Sequence, residues 1–417
     1  MPQPSDSADF VPPTRRRLRW LWYLLAIAGV VTLGATVLLA VLLGRLRDAL
    51  PRPTGSMACG RTTFYWTDES RPESRANTAA RRELRVDLWY PAETNQGTLA
   101  PYCDDFAQLR TSLGAERYVL DRVVTHTLSD PAVKQEPPER FPVVVFSPGN
   151  AMNAGWYTSL IEELVSHGYV VAAIDHPLES AAIAYPDGRV VVVKEPEQPF
   201  DPAKFEASYR ERVDGRAADM SLVLDRLAML DRGELKESRF VDRLDLKRVG
   251  SLGHSIGGVG AAKAAQLDPR FKAAVNLDGH FASKPFIPNS DDNGPPQRFL
   301  ELCDQEAPPS EEDLVRWGTT REAYNEARQR VNESLRTESG TYRVSLAGAN
   351  HQAFSDNSLW LPTGRDSHLR QTQVVRDFNR GFFDMTLADS PELWRQLQES
   401  RPEGITIERF ATDTPTR

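Results

Sequence analysis

The segment Val249–Gly258, VGSLGHSIGG, constrains this chain more than any other. An apolar run enters Gly253-His254-Ser255-Ile256-Gly257, a G-x-S-x-G pattern, and the small residues Gly258, Gly260 and Ala261 follow. A strand that turns sharply into a helix around a serine needs small neighbours to relieve crowding. Such a turn lifts a hydroxyl out of the carboxyl edge of a sheet. The motif therefore predicts an α/β chain and makes Ser255 a candidate nucleophile.

The surrounding pattern agrees. Phe141–Phe146, FPVVVF, is the continuous β-branched run of a strand covered on both faces. Trp156–His167 has apolar residues at helical spacing and stops at Gly168, and Tyr169–Ile174 reads as the next strand. Strand, helix and strand in this order form a βαβ unit of a parallel sheet. Leu84–Tyr90 alternates as a strand, and Tyr118–Thr127 reads as another. Ser180–Pro202 reads as a hairpin or flap around the turn Tyr185-Pro186-Asp187-Gly188, with an apolar surface at Ile183 and Val190–Val193. Phe205–Leu230 carries Met220, Val223, Leu224 and Leu227 on one stripe and is expected to cover the sheet. Further strands are expected at Leu246–Leu252, Phe271–Leu277, Phe299–Cys303 and Tyr342–Leu346. Helices are expected at Ile256–Leu267, Val375–Leu387 and Glu311–Leu335, the last with a band of Leu314, Trp317, Tyr324, Val331 and Leu335.

Ahead of this lies an apolar stretch, Trp20–Gly44, with no charged residue in 25 positions. A run of about 20 apolar residues spans a bilayer core as a helix. Arg15, Arg16, Arg17 and Arg19 precede it, against Arg45 and Arg47 after it, so the N-terminus is expected in the cytoplasm and the main chain outside the cell membrane. The alternative is a cleaved signal peptide followed by secretion, although the apolar part of such a peptide is usually about 7 to 15 residues. The expected organisation is a cytoplasmic tail at 1–17, a transmembrane helix at 18–45, a linker at 46–82, a catalytic domain at 83–388 and a polar tail at 389–417. The three cysteines, Cys59, Cys103 and Cys303, allow one disulfide outside the cytoplasm, with Cys59 and Cys103 as one pairing, or three free thiols. A net charge of −8 and the lack of a basic stripe beyond residue 60 argue against nucleic acid as a partner.

A serine hydroxyl needs a base, and the base needs an acid to orient it. When the nucleophile sits on an elbow, the acid and the histidine follow it in the chain. His351, in Gly348-Ala349-Asn350-His351-Gln352, comes just past the last strand. His254 is inside the elbow and too close to reach round, and His368 opens a helical segment. For the acid, Asp278 and Asp304 each end a strand, where open α/β sheets place their sites, and chemistry alone leaves them even. Two backbone N–H groups must face the developing oxyanion. Ile256, directly after the serine, is one candidate. The other comes from Ser147-Pro148-Gly149-Asn150, where Pro148 has no N–H and Asn150 is the best donor.

Four of these segments, FSPGN (Phe146–Asn150), GHSIGG (Gly253–Gly258), NLDGHF (Asn276–Phe281) and ANHQAFSD (Ala349–Asp356), resemble the plasma-type platelet-activating factor acetylhydrolase group. The resemblance runs over about residues 84–388 and implies an α/β-hydrolase fold: a mostly parallel central sheet with helices on both faces, here preceded by one transmembrane helix. It also implies a triad of Ser255, Asp278 and His351, which tips the choice away from Asp304, and oxyanion donors at the backbone of Asn150 and Ile256. The stretch Asp214–Asp219 is similar to a structural stretch of that family. Where the family often has a His before the oxyanion glycine, this chain has Pro148, as do bacterial polyester and short-ester hydrolases.

The function expected is a serine esterase acting through an acyl-enzyme on short or oxidised acyl esters of phospholipids or on small lipophilic esters. It would need neither metal nor organic cofactor, and its membrane contact would be the N-terminal helix. A broad lipase, a cutinase-like or polyester hydrolase, or an inactive membrane-tethered binding protein are the other readings.

Overall fold

The computed structural model describes residues 15–47, 50–73, 80–104, 120–135, 140–194, 202–279, 297–305, 310–316, 320–336, 340–360 and 364–411. Residues 1–14 of the tail expected at 1–17, His280, Phe281, Trp317 and the last residues 412–417 lie outside them. Two units are distinct, Met1–Asp48 and Ala49–Arg417. The described part of the first is helix α1 (Arg15–Arg47). Within it Tyr23–Ala40 has a mean hydropathy of 2.2 and no buried residue. Length and composition fit a membrane anchor and a cleavable signal sequence equally.

The second unit is built on ten strands in one mixed, mostly parallel sheet. In chain order they are β1 (Ala58–Pro72), β2 (Arg81–Ala92), β3 (Thr127–Ser129), β4 (Phe141–Ser147), β5 (Val170–Asp175), β8 (Leu244–His254), β9 (Phe271–Leu277), β10 (Arg298–Asp304), β11 (Thr341–Leu346) and β12 (Ile405–Phe410). Their spatial order is β12-β11-β10-β9-β8-β4-β5-β2-β1-β3. The contiguous run β11-β10-β9-β8-β4-β5 is parallel throughout. A separate two-stranded hairpin pairs β6 (Ala182–Ala184) with β7 (Val190–Val192).

The strand period of two fixes the layers. Val144 and Phe146 of β4 face one side, with Trp156, Ile161 and Leu164 around helix α2 (Thr158–Ser166) and Phe378 and Phe382 of the later helix 365–387. Val143 and Val145 face the other side. There they meet Met220, Val223, Leu224 and Leu227 of helix α3 (Pro202–Asp231), all at most 1% exposed, and Ala261, Ala264 and Ala265 of helix α4 (Ile256–Leu267). The stripe expected on α3 is the face that is buried. Among the described residues four more α-helices follow: α5 (Glu311–Arg316), α6 (Arg321–Ser334), α7 (Arg365–Leu387) and α8 (Glu392–Ser400).

The structure departs from the sequence reading in several places. Residues 46–82, expected as a linker, contain the 15-residue strand β1, antiparallel to β2. Its polar residues hid it: Arg61 is buried against Asp104, and Thr63 hydrogen-bonds Asp87, so it carries no apolar alternation to read. Residues 389–417, read as a short helix and a loose tail, contain that helix, α8, with Trp394 buried, but they then form the edge strand β12 along β11 rather than a loose tail. The strand expected at Tyr118–Thr127 is a single helical turn at Leu120–Arg122, and the strand itself is Thr127–Ser129; Tyr118 and Val119 lie outside the described residues. The single helix expected at Glu311–Leu335 is α5 and α6, with 317–319 outside the described residues. Ile183, read as part of an apolar flap, is core, whereas Val190 and Val192 of the hairpin are exposed. Cys59, Cys103 and Cys303 are free thiols.

Candidate active site

Five loops that carry the sequence-selected residues leave the same, carboxyl edge of the parallel strands. Ser147-Pro148-Gly149-Asn150 follows β4, Ser255 follows β8, Asp278 follows β9, Asp304 ends β10, and His351 follows β11. Open α/β sheets bind ligands at this edge because the loops of successive parallel strands converge there.

The elbow is tight for steric reasons. A Cβ at Gly253 would lie 2.1 Å from the carbonyl oxygen of Gly257, and a Cβ at Gly257 would lie 2.2 Å from that of Ser147. Only glycine fits at both, which is why the motif takes its form and why the start of α4 can press against the 147–150 loop. Ser255 itself sits at φ 55 and ψ −128, a conformation disfavoured for a residue with a side chain. It is held there by backbone bonds, with its N–H donating to Leu277 at 2.8 Å and its carbonyl accepting from Gly258 at 2.9 Å.

Asp278 is buried, also at positive φ (53), and its loop is closed by Asn276. The Asn276 amide donates to the Gly279 carbonyl at 2.7 Å and accepts from the Gly279 N–H at 2.9 Å. The carboxylate set against His351 is that of Asp278, with Oδ2 2.5 Å from Nδ1. Its other oxygen, Oδ1, accepts the backbone N–H of Asp304 at 3.1 Å. Because a carboxylate only accepts, Nδ1 of His351 carries the hydrogen of this bond, which in a neutral ring leaves the lone pair on Nε2. His351 stands beside the elbow, its ring centroid 4.5 Å from that of His254. Ile256 is buried at the start of α4, and Asn150 is exposed, its side-chain oxygen accepting from Arg212. His368 lies on α7.

Sequence reasoning missed what holds the 147–150 loop. The stretch Asp214–Asp219 on α3 supplies Arg216 and Asp219, both fully buried. Arg216 donates to the Pro148 carbonyl at 2.6 Å, to Ser147 Oγ at 3.1 Å and to Glu179 at 2.9 Å. His176 bridges Asp219 (2.7 Å) and Ser147 Oγ (2.9 Å), and Arg82 closes the network on Asp219 and Glu73. Burial, then the Arg216 charge, pushes His176 down to about 4, so the ring is neutral. Burial alone would raise Asp219, but Arg82 and the His176 hydrogen bond outweigh it and hold the carboxyl well below its usual range. Removing one partner of such a buried network leaves an uncompensated charge, at a cost of about 3–5 kcal/mol. The resemblance marks Asp214–Asp219 as structural, but Arg82, His176 and Glu179 look like surface residues in sequence.

Asp356, the end of the HQAFSD block, anchors the His351 segment from below. It is buried and accepts from the Ser159 hydroxyl and N–H, and from Tyr102 at 3.3 Å. Burial pushes its carboxyl up to about 7. A folded value above the unfolded value of about 3.9 means the neutral form favours folding, so this contribution is full below about pH 4 and is lost as pH rises through about 7. Urea unfolding of wild type and Asp356→Asn at pH 5 and pH 8 is expected to show wild type losing stability relative to the variant as pH rises. Parallel pH dependences would contradict this reading of Asp356.

A serine raised on a strained strand-to-helix turn of a parallel sheet, beside a paired carboxylate and imidazole, is how α/β-hydrolases are built, and the chain has their fold. Comparison with known proteins narrows the class. Residues 50–283, more than half of the chain, match the family described as platelet-activating factor acetylhydrolase, isoform II, and the chain belongs to that family. It is 27% identical over 212 residues to a platelet-activating factor acetylhydrolase of Cavia porcellus, covering 46% of this chain and 49% of that protein. It is 30% identical over 156 residues to that of Canis lupus familiaris, covering 34% and 35%. The chain thus spans about half or less of the length of these curated relatives. Among solved structures, a ferulic acid esterase from Streptomyces cinnamoneus matches with a TM-score of 0.66 at 29% identity, covering 86% of this chain and 98% of that one.

Proposed function

We propose that this chain is a serine esterase that hydrolyses short or oxidised acyl esters of phospholipids, or small lipophilic esters, through an acyl-enzyme. The observation that carries the reading is the His351–Asp278 pair, 2.5 Å apart, on the loops after β11 and β9 beside the Ser255 elbow. Ser255 Oγ attacks the ester carbonyl while His351 Nε2 takes its proton. Asp278 holds the ring with Nδ1–H inward and stabilises the imidazolium that forms. The tetrahedral oxyanion is received by the backbone N–H groups of Ile256 and Asn150, which carry no charge of their own and are fixed before the reaction starts. His351 then gives its proton to the leaving alcohol, and water repeats the cycle on the acyl-enzyme.

The phospholipid side of the proposal is supported by the family and by its acetylhydrolase members in mammals. The apolar helix α1 is read as a single-pass tether that places the catalytic unit outside the cell membrane, with secretion after cleavage as the other form. A second reading, a broader esterase of small soluble esters, is favoured by the near-complete coverage of the ferulic acid esterase. Rates on acetyl, butyryl, palmitoyl and feruloyl esters distinguish the two. Acetyl and butyryl are expected to turn over fastest. Palmitoyl as the best substrate would overturn the short-acyl reading, and feruloyl as the best would favour the second.

A further inference from the structure

We propose that His254, the residue before the elbow serine, is a positioning residue that couples the His351 loop to the 147–150 loop through Tyr157. This inference rests on the esterase reading above and adds to it. His254 is fully buried at the end of β8. Its Nε2 lies 3.0 Å from the backbone carbonyl oxygen of His351, and its Nδ1 lies 2.7 Å from Tyr157 Oη. Tyr157 Oη in turn accepts the backbone N–H of Gly149 at 3.0 Å.

Donor and acceptor roles along this chain follow from chemistry. A carbonyl oxygen only accepts, so Nε2 of His254 carries the hydrogen. In the neutral ring Nδ1 then holds a lone pair and takes the Tyr157 hydroxyl hydrogen. Met152 Sδ, 3.1 Å from the same hydroxyl, is a much weaker acceptor. Burial pushes the Tyr157 hydroxyl well above its ordinary value, so it stays protonated. Its oxygen is left to receive Gly149 N–H. The result is one continuous relay: Gly149 N–H to Tyr157, Tyr157 to His254, His254 to the His351 carbonyl.

The two ends are the parts of the site that must hold their spacing. Gly149 precedes the proposed oxyanion donor Asn150, and His351 is the proposed base. A misplacement of about 1 Å at either can cost about 100-fold in rate. The packing leaves no slack, since a Cβ at Gly149 would lie 3.0 Å from His254 Nδ1 and 3.3 Å from Tyr157 Oη. The role asks for one side chain that donates on one edge and accepts on the other, which imidazole does. This explains a histidine at a place where the elbow itself asks for nothing specific.

The test compares wild type with Tyr157→Phe, His254→Leu, the double variant and His254→Gln, each verified as folded by circular dichroism and thermal melting. Gln places an amide N–H near the Nε2 position and restores only the bond to the His351 carbonyl. On an acetyl ester, Tyr157→Phe and His254→Leu are expected to lower kcat about 10- to 100-fold with little change in KM. The double variant is expected to lose no more than the worse single, because the residues act as one unit. His254→Gln is expected to recover part of the loss. ¹⁵N NMR of wild type is expected to show His254 as the Nε2–H tautomer, with its Nδ1 resonance moving in Tyr157→Phe. Variants within about twofold of wild type, a loss carried by KM, additive losses, or an Nδ1–H tautomer would each overturn the relay. A folded wild type that hydrolyses no ester would overturn the esterase reading instead, and the tautomer spectrum reports on the relay in either case.

Discussion

Ser255→Ala is expected to lower kcat/KM on a chromogenic acetyl ester by on the order of 10⁴-fold or more, with the fold intact. The size follows from the role: without Oγ no acyl-enzyme forms, and only the oxyanion donors and substrate binding remain. The fold should survive because the elbow is held by backbone bonds, Ser255 N–H to Leu277 and Gly258 N–H to Ser255, which alanine keeps. Alanine also meets the same strain at φ 55 that serine already bears. Thermal and urea unfolding should therefore stay within about 1 kcal/mol of wild type. A folded variant that keeps more than about a hundredth of wild-type turnover contradicts the mechanism.

The second large effect separates the two aspartates. Asp278→Asn is expected to lower kcat by about 10³- to 10⁴-fold, and Asp304→Asn by less than about tenfold. Asp278 accepts the Nδ1 hydrogen of His351, whereas an amide can turn its NH₂ group to that nitrogen and select the wrong tautomer. The substitution is gentle on the backbone, since asparagine tolerates the positive φ of 53 at this position and its oxygen can still accept the Asp304 N–H. Asp304 is the acid of the alternative reading, and a larger loss there than at Asp278 would transfer the assignment to it.

Much of this architecture is legible in the chain before any coordinates. Strand β4 announces itself through an unbroken β-branched run, the covering face of α3 through four apolar residues at helical spacing, and the elbow through its two glycines. Which aspartate meets His351 was not legible from chemistry, because Asp278 and Asp304 end neighbouring strands and only the folded register turns the Asp278 carboxylate toward that ring. Strand β1 was hidden because its buried Arg61 and half-buried Thr63 are satisfied by partners that come from distant positions. The clamp on the 147–150 loop was hidden for the same reason. Arg82, Glu179, Arg216 and Asp219 are charges that sequence patterning assigns to solvent, and only the three-dimensional pairing makes their burial tolerable. Strand β12 is an edge strand whose exposed residues face solvent, which leaves only Ile405, Ile407 and Phe410 as its apolar signal.

The central claim is that position, not composition, makes one of this chain's serine hydroxyls reactive. Labelling with a fluorophosphonate probe, mapped by mass spectrometry on the folded protein, reads that directly. Rapid modification is expected at Ser255, none at that position in Ser255→Ala, and strongly slowed modification in His351→Ala. A folded wild type left unlabelled at Ser255, or labelled as fast without His351, would contradict it.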